Sequence, residues 1–377
     1  MKIKQSALAG RFMSPQNAIA TTGGSISIYE PQTMLPAFQR RMPVTTFLRD
    51  MFFAGETTFD TKHVIMDFYK NRQRVAPLVA EGSLPINIKR DGFETKIYTA
   101  PFINLASPID TGMLQSRLPG EAVFGGMSPD ERAVQQMNRD FLELSDMITR
   151  REELMDAELL QTGKVTVSGY IDDAATIVRT DTIDFGFENT INLTGGSQWN
   201  QTTSKKYEDL EEAVRKSRKA GYNPTIALLG EQAWADLRAD DNFMTKFMDL
   251  RYAQFGTINP QLNIESGNGY TYIGRLTELG LDLYRYDAWY FDETTQTLKP
   301  YIDPEKIIVA PRNIGEMLYG ANTFIPEDSI NYVTVEATRA TKVTVNRDTD
   351  VKSLIVKSRP LPKPFDVSAW SVIKTRV

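Results

Sequence analysis

The side chains that most often carry catalysis or bind metals are nearly absent from this sequence. The chain of 377 residues contains no cysteine and a single histidine, His63. Thiol catalysis, disulfides and iron–sulfur clusters are therefore excluded, and one histidine cannot build a multi-histidine metal centre. His63 stands in an alternating segment between Lys62 and Val64, and no G-x-S-x-G elbow occurs in the chain. We therefore interpret His63 as a structural or surface residue rather than a catalytic base.

Carboxylates and glycine-rich turns are the remaining groups with possible chemistry. The carboxylates form two clusters, namely Asp209, Glu211 and Glu212, and Asp236, Asp240 and Asp241. Both clusters lie on or beside predicted amphipathic helices and lack calcium-loop spacing, which favours solvated surface charge. The Gly267–Gly269 turn is followed by a predicted strand, whereas a dinucleotide loop must lead into a helix. The sequence thus predicts no catalytic residue, no metal site and no cofactor.

Composition and charge narrow the class of protein. With 41% hydrophobic and 24% charged residues the chain is typical of a globular protein. It has no apolar run approaching the ~18 residues of a membrane-spanning helix. Its first 16 residues lack the apolar stretch of a secretory signal, so cytoplasmic synthesis is expected. Residues 1–127 carry 14 basic and 10 acidic side chains and residues 128–377 carry 29 and 38, which argues against a dedicated nucleic-acid binder.

The N-terminal third is predicted to contain an arm and a long hairpin. Residues 1–53 are interrupted by Gly23-Gly24 and by prolines, so this arm needs another surface to pack on. Alternation over Thr57–Tyr69 and Phe93–Thr99 predicts two strands of one hairpin. The tip between the strands is too polar to bury a core and must find a partner surface. Its cations are the predicted contact residues: Arg72, Arg74, Lys89 and Arg90.

The strongest local signal predicts a helix over Ser128–Thr162. Ser128 and Glu131 form a capping box around Pro129, and Gly163 provides the stop. One apolar stripe, flanked by charges such as Arg151, Glu152 and Glu153, indicates packing across a sheet; a coiled coil is the competing interpretation. The stripe consists of Val134, Met137, Phe141, Leu144, Ile148, Met155 and Leu159.

The rest of the chain is predicted to be a β-rich body with an inserted α/β module. Lys164–Ser168, Ala175–Thr182 and Asn189–Thr194 are interpreted as an antiparallel meander. Helices and strands alternate over 205–322, with predicted helices Tyr207–Ala220, Glu231–Arg238 and Asp241–Tyr252 and predicted strands Thr225–Leu229, Tyr270–Gly274, Leu281–Trp289 and Ile307–Ala310.

The C-terminal part returns to strands. Asn331–Ala337, Lys342–Asn346 and Val351–Lys357 are expected to pair with the meander. Prolines at positions 360, 362 and 364 then predict an extended tail.

Short motifs follow one another in a recognisable order. The residues that carry the likeness are Gly163, Lys164 and Gly169 after the long helix, Gly195, Gly196 and Trp199, Trp234, and Gly315 with Tyr319 and Gly320. Together with the order of the elements over about residues 45–377, they resemble the tailed-phage major capsid protein E family. This family is the lambda-type branch of the HK97-like capsid fold.

The resemblance implies an α+β fold with named parts. These would be an N-terminal arm (1–53), an E-loop hairpin (54–108), a P-domain (109–204) with its spine helix (128–162), an A-domain (205–322), and returning P-domain strands with a tail (323–377). It also implies a non-enzymatic subunit that assembles into hexamers and pentamers of an icosahedral virion shell. The implied partners are scaffold, portal and decoration proteins, and the shell would enclose double-stranded DNA without reading its sequence.

Charge asymmetry agrees with self-assembly, and three other classes remain open. Basic residues of the hairpin tip could meet the acidic surplus of a neighbouring copy, as closed rings need unlike patches in contact. The alternatives are an encapsulin-like compartment, an oligomeric enzyme that uses carboxylates alone, and a polymerising adaptor or tail component.

Overall fold

A computed structural model describes the chain over residues 43–61, 63–69, 75–78, 81, 84, 86–88, 92–116, 127–170, 178–240, 243, 266–267, 269–293, 295–326 and 330–376. The described helices are Phe47–Phe52 (α1), Thr111–Gln115 (α2), Pro129–Thr162 (α3), Lys206–Lys219 (α4) and Glu231–Arg238 (α5).

Twenty-one strands are described. The first seven are Gly55–Phe59 (β1), His63–Tyr69 (β2), Phe93–Thr99 (β3), Ile103–Ile109 (β4), Lys164–Tyr170 (β5), Val178–Asp184 (β6) and Thr190–Asn192 (β7). The middle seven are Ile226–Leu229 (β8), Ser266–Gly267 (β9), Tyr270–Leu276 (β10), Leu281–Tyr286 (β11), Trp289–Asp292 (β12), Thr297–Pro300 (β13) and Lys306–Ala310 (β14). The last seven are Gly315–Gly320 (β15), Asn322–Phe324 (β16), Val333–Val335 (β17), Ala340–Asn346 (β18), Val351–Ser358 (β19), Pro360–Pro364 (β20) and Ser371–Lys374 (β21).

Helix α3 begins and ends where the sequence predicts. The Ser128 hydroxyl accepts a hydrogen bond from the Glu131 amide (3.3 Å), and the Glu131 carboxylate accepts one from the Ser128 amide (2.8 Å). Gly163 has a φ of 68°, the left-handed conformation that glycine favours at a helix end. The 34 residues span about 50 Å at the rise of an α-helix. The helix packs on β4, β5, β19 and β20 and on α1, which is sheet packing rather than a coiled coil.

A seven-stranded sheet separates two apolar cores. Its strand order is β7-β21-β14-β8-β11-β10-β9. Ile226 and Leu228 of β8 belong to the core shared with α1 and α3, whereas Ala227 and Leu229 belong to the core shared with α4 and α5. Successive strand residues point to opposite faces, so β8 is buried on both sides and reads as a continuous apolar run.

The C-terminal segment is part of this sheet and of a second one, not the extended tail that the sequence predicted. Strand β21 joins the seven-stranded sheet, and β20 pairs with β15 at the edge of the sheet β1-β15-β20. Its three prolines occupy every second position, where the missing N–H groups all lie on the side away from β15. A proline-rich segment can therefore form an edge strand. The number of prolines alone does not indicate this, because it is their spacing that keeps them off the hydrogen-bonded side.

Two further pairings correct the predicted meander. β5 and β6 form the expected antiparallel pair, but β7 lies parallel to β21. The returning strands β18 and β19 pair with each other, and β19 pairs with β4 rather than with the meander. All these strands alternate in the same way, so the periodicity identifies them without identifying their partners.

The predicted long hairpin is present as β2 and β3, which pair from His63 with Thr99 to Tyr69 with Phe93. The predicted first strand is interrupted near Thr61, and β1 instead runs parallel to β15. The cations predicted to make contacts, Arg72, Arg74, Lys89 and Arg90, lie outside the described residues, as does the predicted helix Asp241–Tyr252 apart from Phe243.

The apolar stripe of α3 is buried only in its C-terminal half. Leu144 and Ile148 pack against Leu354 and Val356 of β19, and Met155 lies in the larger core. Met137 is half-buried, and Val134 and Phe141 are exposed, contrary to the expectation that they pack on a sheet. A seven-residue spacing drifts by about 20° per repeat around a straight α-helix, which carries the first members of the stripe away from the packed face.

Candidate functional site

Of the carboxylates singled out in the sequence, Asp209 and Asp236 make contacts within the fold, whereas Glu211 is exposed. The Asp209 carboxylate accepts a hydrogen bond from the Trp199 indole at 2.9 Å. Asp236 receives a bidentate pair from the Arg376 guanidinium at 2.6 and 3.1 Å. His63 is exposed and its Nδ1 lies 2.9 Å from the Thr99 hydroxyl. Among the described residues, no group of three or more His, Cys, Asp or Glu side chains has an arrangement that could hold a metal ion.

In the parts of the chain that the structure describes, no helix combines the length and the apolar character needed to cross a bilayer.

The first motif begins with a tight turn at the end of α3. A Cβ at Gly163 would lie 1.9 Å from the Cβ of Phe187, so only glycine fits there. Lys164 pairs with Asp184 across β5 and β6 at 2.8 Å, while Gly169 has open space around it. These contacts fix the direction in which the chain leaves the long helix.

The second pair of glycines leads to a buried tryptophan. Gly195 and Gly196 lie in a one-turn 3-10 helix, and the Gly196 carbonyl accepts a hydrogen bond from the Thr203 hydroxyl at 2.7 Å. Trp199 is fully buried in the core beside α4, and Trp234 packs half-buried against the same core. The segment thus anchors α4 to the seven-stranded sheet.

The last motif lies on β15, in the middle of its sheet. A Cβ at Gly315 would lie 2.4 Å from the Lys363 carbonyl oxygen and 2.7 Å from the ring of Phe53. Tyr319 is fully buried, with the Arg49 guanidinium 5.7 Å from its ring centroid. Gly320 leaves room for the side chains of Phe59 and Arg359.

We expect Gly315→Ala to lower the free energy of unfolding by about 1–3 kcal/mol, the usual effect of overpacking. The clash is with backbone as well as with an aromatic ring, so it cannot be relieved by a side-chain rotation. Urea denaturation of Gly315→Ala and Gly169→Ala provides a matched comparison, as the second glycine also lies in a strand but has no atom within 4 Å of the added Cβ. Equal stability of the two variants would contradict this account of β15.

Three carboxylates of α3 form a buried group that the sequence patterns do not predict. We call Glu152, Glu153 and Asp156 the carboxylate cluster; all three side chains are buried. The pattern predicts Glu152 and Glu153 as charged flanks of a helix that packs on one side only, and the burial of both side chains shows that this prediction is wrong. Their partners are Arg49 of α1, Tyr286 of β11 and Arg339 before β18. Most residues of α3 from 152 to 160 are buried.

Glu152 joins two separate parts of the chain. Arg339 donates to both of its carboxylate oxygens at 2.7 and 2.8 Å, and Arg49 donates at 3.0 Å. Arg49 also pairs with Glu56. One carboxylate of the helix thereby holds α1 and the loop before β18 in place.

Glu153 caps the N-terminal end of α1 from another helix. Its carboxylate accepts hydrogen bonds from the amides of Leu48 (2.9 Å) and Arg49 (3.3 Å) and from the Tyr286 hydroxyl (2.9 Å). Thr46, at the cap position of α1, makes no side-chain cap. Glu153 thus satisfies free helix amides that a local cap would otherwise satisfy. Burial raises the pKa of Glu153, and these hydrogen bonds partly offset that effect. The resulting pKa is about 7.

Asp156 lies beside this network without joining it. Both of its carboxylate oxygens are buried, and neither has a hydrogen-bond partner. Burial, and then the charges of Glu153 and Glu152, raise the pKa of Asp156 well above its usual range. Burial and the surplus of three carboxyl groups over two arginines thus both disfavour the charged form of Asp156.

Asp156→Asn is expected to become progressively more stable than the wild type between pH 5 and pH 7. Because the pKa of Asp156 is raised on folding, the native wild type binds more protons than the unfolded chain and loses stability as pH rises above the usual pKa of an aspartate. The difference from Asp156→Asn should therefore grow with pH, by at most about 1.4 kcal/mol per pH unit. Urea denaturation across this range measures the difference. Asp130→Asn, at an exposed position in the first turn of the same helix, is the control. A difference that does not change with pH would show that Asp156 is ionised in the folded state.

The carboxylate cluster as a whole joins α3 to α1, to β11 and to the segment before β18. Glu152 is paired with two arginines, Glu153 accepts hydrogen bonds from two amides and a tyrosine, and Asp156 is buried without a hydrogen-bond partner. The sequence contains one signal of this carboxylate cluster. Three acids at positions 152, 153 and 156 interrupt the most apolar part of the helix, around Met155 and Leu159.

Comparison with known proteins adds a family match. The sequence family described as phage major capsid protein E matches residues 30–375. No protein among the curated sequences matches the chain.

Several solved structures are similar to this chain. A prophage protein of E. coli CFT073, described as a capsid protein, has a TM-score of 0.59 at 16% identity, over 88% of this chain and 93% of its own. A phage-related protein from Bordetella bronchiseptica RB50 has a TM-score of 0.47 at 11% identity, covering 87% and 91%. The holo-SrpI encapsulin of Synechococcus elongatus PCC 7942 has a TM-score of 0.46 at 12% identity, covering 92% of each chain. The first of these similarities establishes the fold.

Proposed function

Because the chain belongs to the phage major capsid protein E family and is a capsid subunit of HK97-like fold, we propose that its copies close into hexamers and pentamers of an icosahedral shell around double-stranded DNA. The observation that carries this proposal is the family match over 30–375. The subunit's role is structural, and its buried acidic groups hold the fold together.

The long hairpin supports assembly from many copies. Ile65 and Ile97 face each other across β2 and β3, and each is 67% exposed. The described residues beyond the hairpin include five exposed aliphatic side chains: Val75, Leu78, Leu84, Ile86 and Ile88. An apolar surface of this kind marks an interaction site, and the most abundant partner in a shell is another copy of the same chain.

The proposed parts follow the limits expected from the sequence, with changes that the pairings require. The arm is 1–53, the E-loop hairpin begins at 54, and the spine helix is α3. Strand β4 pairs with β19 and would therefore belong to the P-domain, and β7 and β21, which pair with each other, would complete the A-domain sheet. The remaining segments, 205–322 and 323–377, form most of the A-domain and the returning P-domain strands.

Further partners are part of the same proposal. A shell subunit of this family would assemble with scaffold, portal and decoration proteins after synthesis in the host cytoplasm, and would reside in the virion. The basic tip residues Arg72, Arg74, Lys89 and Arg90 would contact a neighbouring subunit. The acidic surplus of residues 128–377 suits a container for DNA, because a cationic lining would hold phosphates too tightly.

The cargo separates this function from an encapsulin-like compartment, which remains the second candidate. Particles recovered from cells that produce the phage are expected to hold nuclease-protected double-stranded DNA. Particles filled with a protein cargo and free of DNA would favour the compartment instead.

A further inference from the structure

One face of the β12–β13 hairpin is apolar and exposed. Trp289, Phe291 and Leu298 are 49%, 53% and 64% exposed. Trp289 and Phe291 are two residues apart on one strand, and Phe291 pairs directly with Leu298 on the other. The three side chains therefore point to the same side of the hairpin, which we call the Trp289 face.

The opposite face of the hairpin packs on the body of the subunit. The ring of Tyr290 lies 5.1 Å from that of Tyr301, and Lys299 pairs with Asp292 on the same side. A sheet with one packed face normally turns its polar side to water. Here the ion pair lies on the packed side and the aromatic residues face outward, which marks the Trp289 face as a contact surface.

The chain enters the described part of the fold beside this face. Pro43, Val44 and Thr45 line the same cleft as Trp289. Residue 42 is bonded to Pro43, so the segment before it must start next to the indole ring.

Helix α1 holds this entry point in place. The ring of Phe47 stacks on that of Tyr270 with 4.1 Å between their centroids, and the Leu48 amide donates to the buried Glu153 carboxylate at 2.9 Å. Pro43 lies only four residues before Phe47. The anchored helix therefore fixes where the preceding segment begins.

The preceding segment has the composition and the reach of a cover. Residues 34–42, MLPAFQRRM, include six apolar side chains and no acidic one. Met42 precedes a proline, which favours extended backbone at that position. An extended chain advances about 3.3 Å per residue, so the four steps from Met42 back to Phe38 cover about 13 Å. The two-residue step from Trp289 to Phe291 covers about 7 Å, and the strands lie about 5 Å apart.

We propose that residues 34–42 of the same chain cover the Trp289 face, with the Phe38 ring against Phe291 and Leu298. Covalent continuity favours this occupant over a separate molecule, because a tethered segment has an effective concentration in the millimolar range. The inference concerns the single subunit and holds independently of assembly into a shell.

The absence of cysteine from the sequence allows a single thiol to report on the cover. Alkylation of Leu298→Cys by N-ethylmaleimide is followed in dilute, dissociated subunits of the full chain. We expect it to be about tenfold slower than in Leu298→Cys/Phe38→Asp, because a covered thiol reacts only in the fraction of molecules in which the cover is open. Leu142→Cys, at an exposed leucine of α3, is the matched control. Its alkylation rate should not change when Phe38→Asp is added.

A second measurement tests the contact without the Phe38→Asp variant. In the double variant Phe38→Cys/Leu298→Cys, mild oxidation is expected to form an intrachain disulfide at a rate that does not depend on protein concentration. We expect this rate to be about tenfold higher than for Phe38→Cys/Leu142→Cys, because contact raises the effective concentration of one thiol at the other.

Either of two results would overturn the inference. One is rapid alkylation of Leu298→Cys in dissociated subunits, at a rate that Phe38→Asp does not change. The other is protection that appears only in assembled particles or increases with subunit concentration, which would assign the Trp289 face to a neighbouring molecule.

Discussion

Replacing Glu152 by glutamine is expected to lower the free energy of unfolding by about 3 kcal/mol. The substitution keeps the shape of the side chain but removes the charge that Arg49 and Arg339 share. Breaking a buried ion pair from one side costs about 3–5 kcal/mol, because the remaining charge stays buried without compensation. We expect the lower end of this range, since Arg49 keeps its pairing with Glu56.

Glu143→Gln provides the comparison for this prediction. It makes the same chemical change in the same helix at an exposed position, where the expected effect is within about 0.5 kcal/mol. Urea denaturation of the dissociated subunits measures both variants. If Glu152→Gln and Glu143→Gln were equally stable, the carboxylate cluster would not hold α1 and the segment before β18 to the long helix.

Deleting residues 71–90 is expected to leave a folded, soluble subunit that no longer forms closed particles. The segment follows β2 and precedes β3, and its described aliphatic side chains are exposed in the single chain. Its loss therefore removes little of the subunit's own core, while assembly loses the contact that the hairpin tip would make with a neighbour. Circular dichroism and urea denaturation report on the fold, and sedimentation velocity reports on assembly.

The two readouts separate the possible failures of this deletion variant. An unfolded product would show that the segment belongs to the core of its own subunit. Closed particles in normal yield would show that the hairpin tip makes no contact on which the shell depends.

Local signals in the sequence predict local structure well. The bounds of α3 follow from Ser128, Glu131 and Gly163, each of which has a defined role at a helix end. The hairpin β2–β3 follows from alternation over a stretch without competing signals. These features depend on neighbours within a few residues, which a single sequence displays directly.

Pairings between distant strands could not be predicted in the same way. β21 lies between β7 and β14, and β20 beside β15, although the prolines of 360–364 indicated an extended tail. The partner of a strand depends on the packing of the whole sheet. Strands with the same alternation of apolar and polar residues cannot be distinguished by their periodicity. The parallel pairing of β7 with β21 joins segments about 180 residues apart, which no local pattern encodes.

The carboxylate cluster shows a different limit of the sequence. Charged residues are almost never fully buried unless they are paired, so the expectation that Glu152 and Glu153 are solvated follows the general rule. Their partners Arg49, Arg339 and Tyr286 come from three distant parts of the chain, and only the fold brings them together.

The central claim is that identical copies of this chain complete one another in a hollow shell. Negative-stain electron microscopy of the purified protein tests it most directly. We predict pentameric and hexameric rings and closed polyhedral particles. A uniform population of compact monomers, unchanged as the concentration rises, would contradict it.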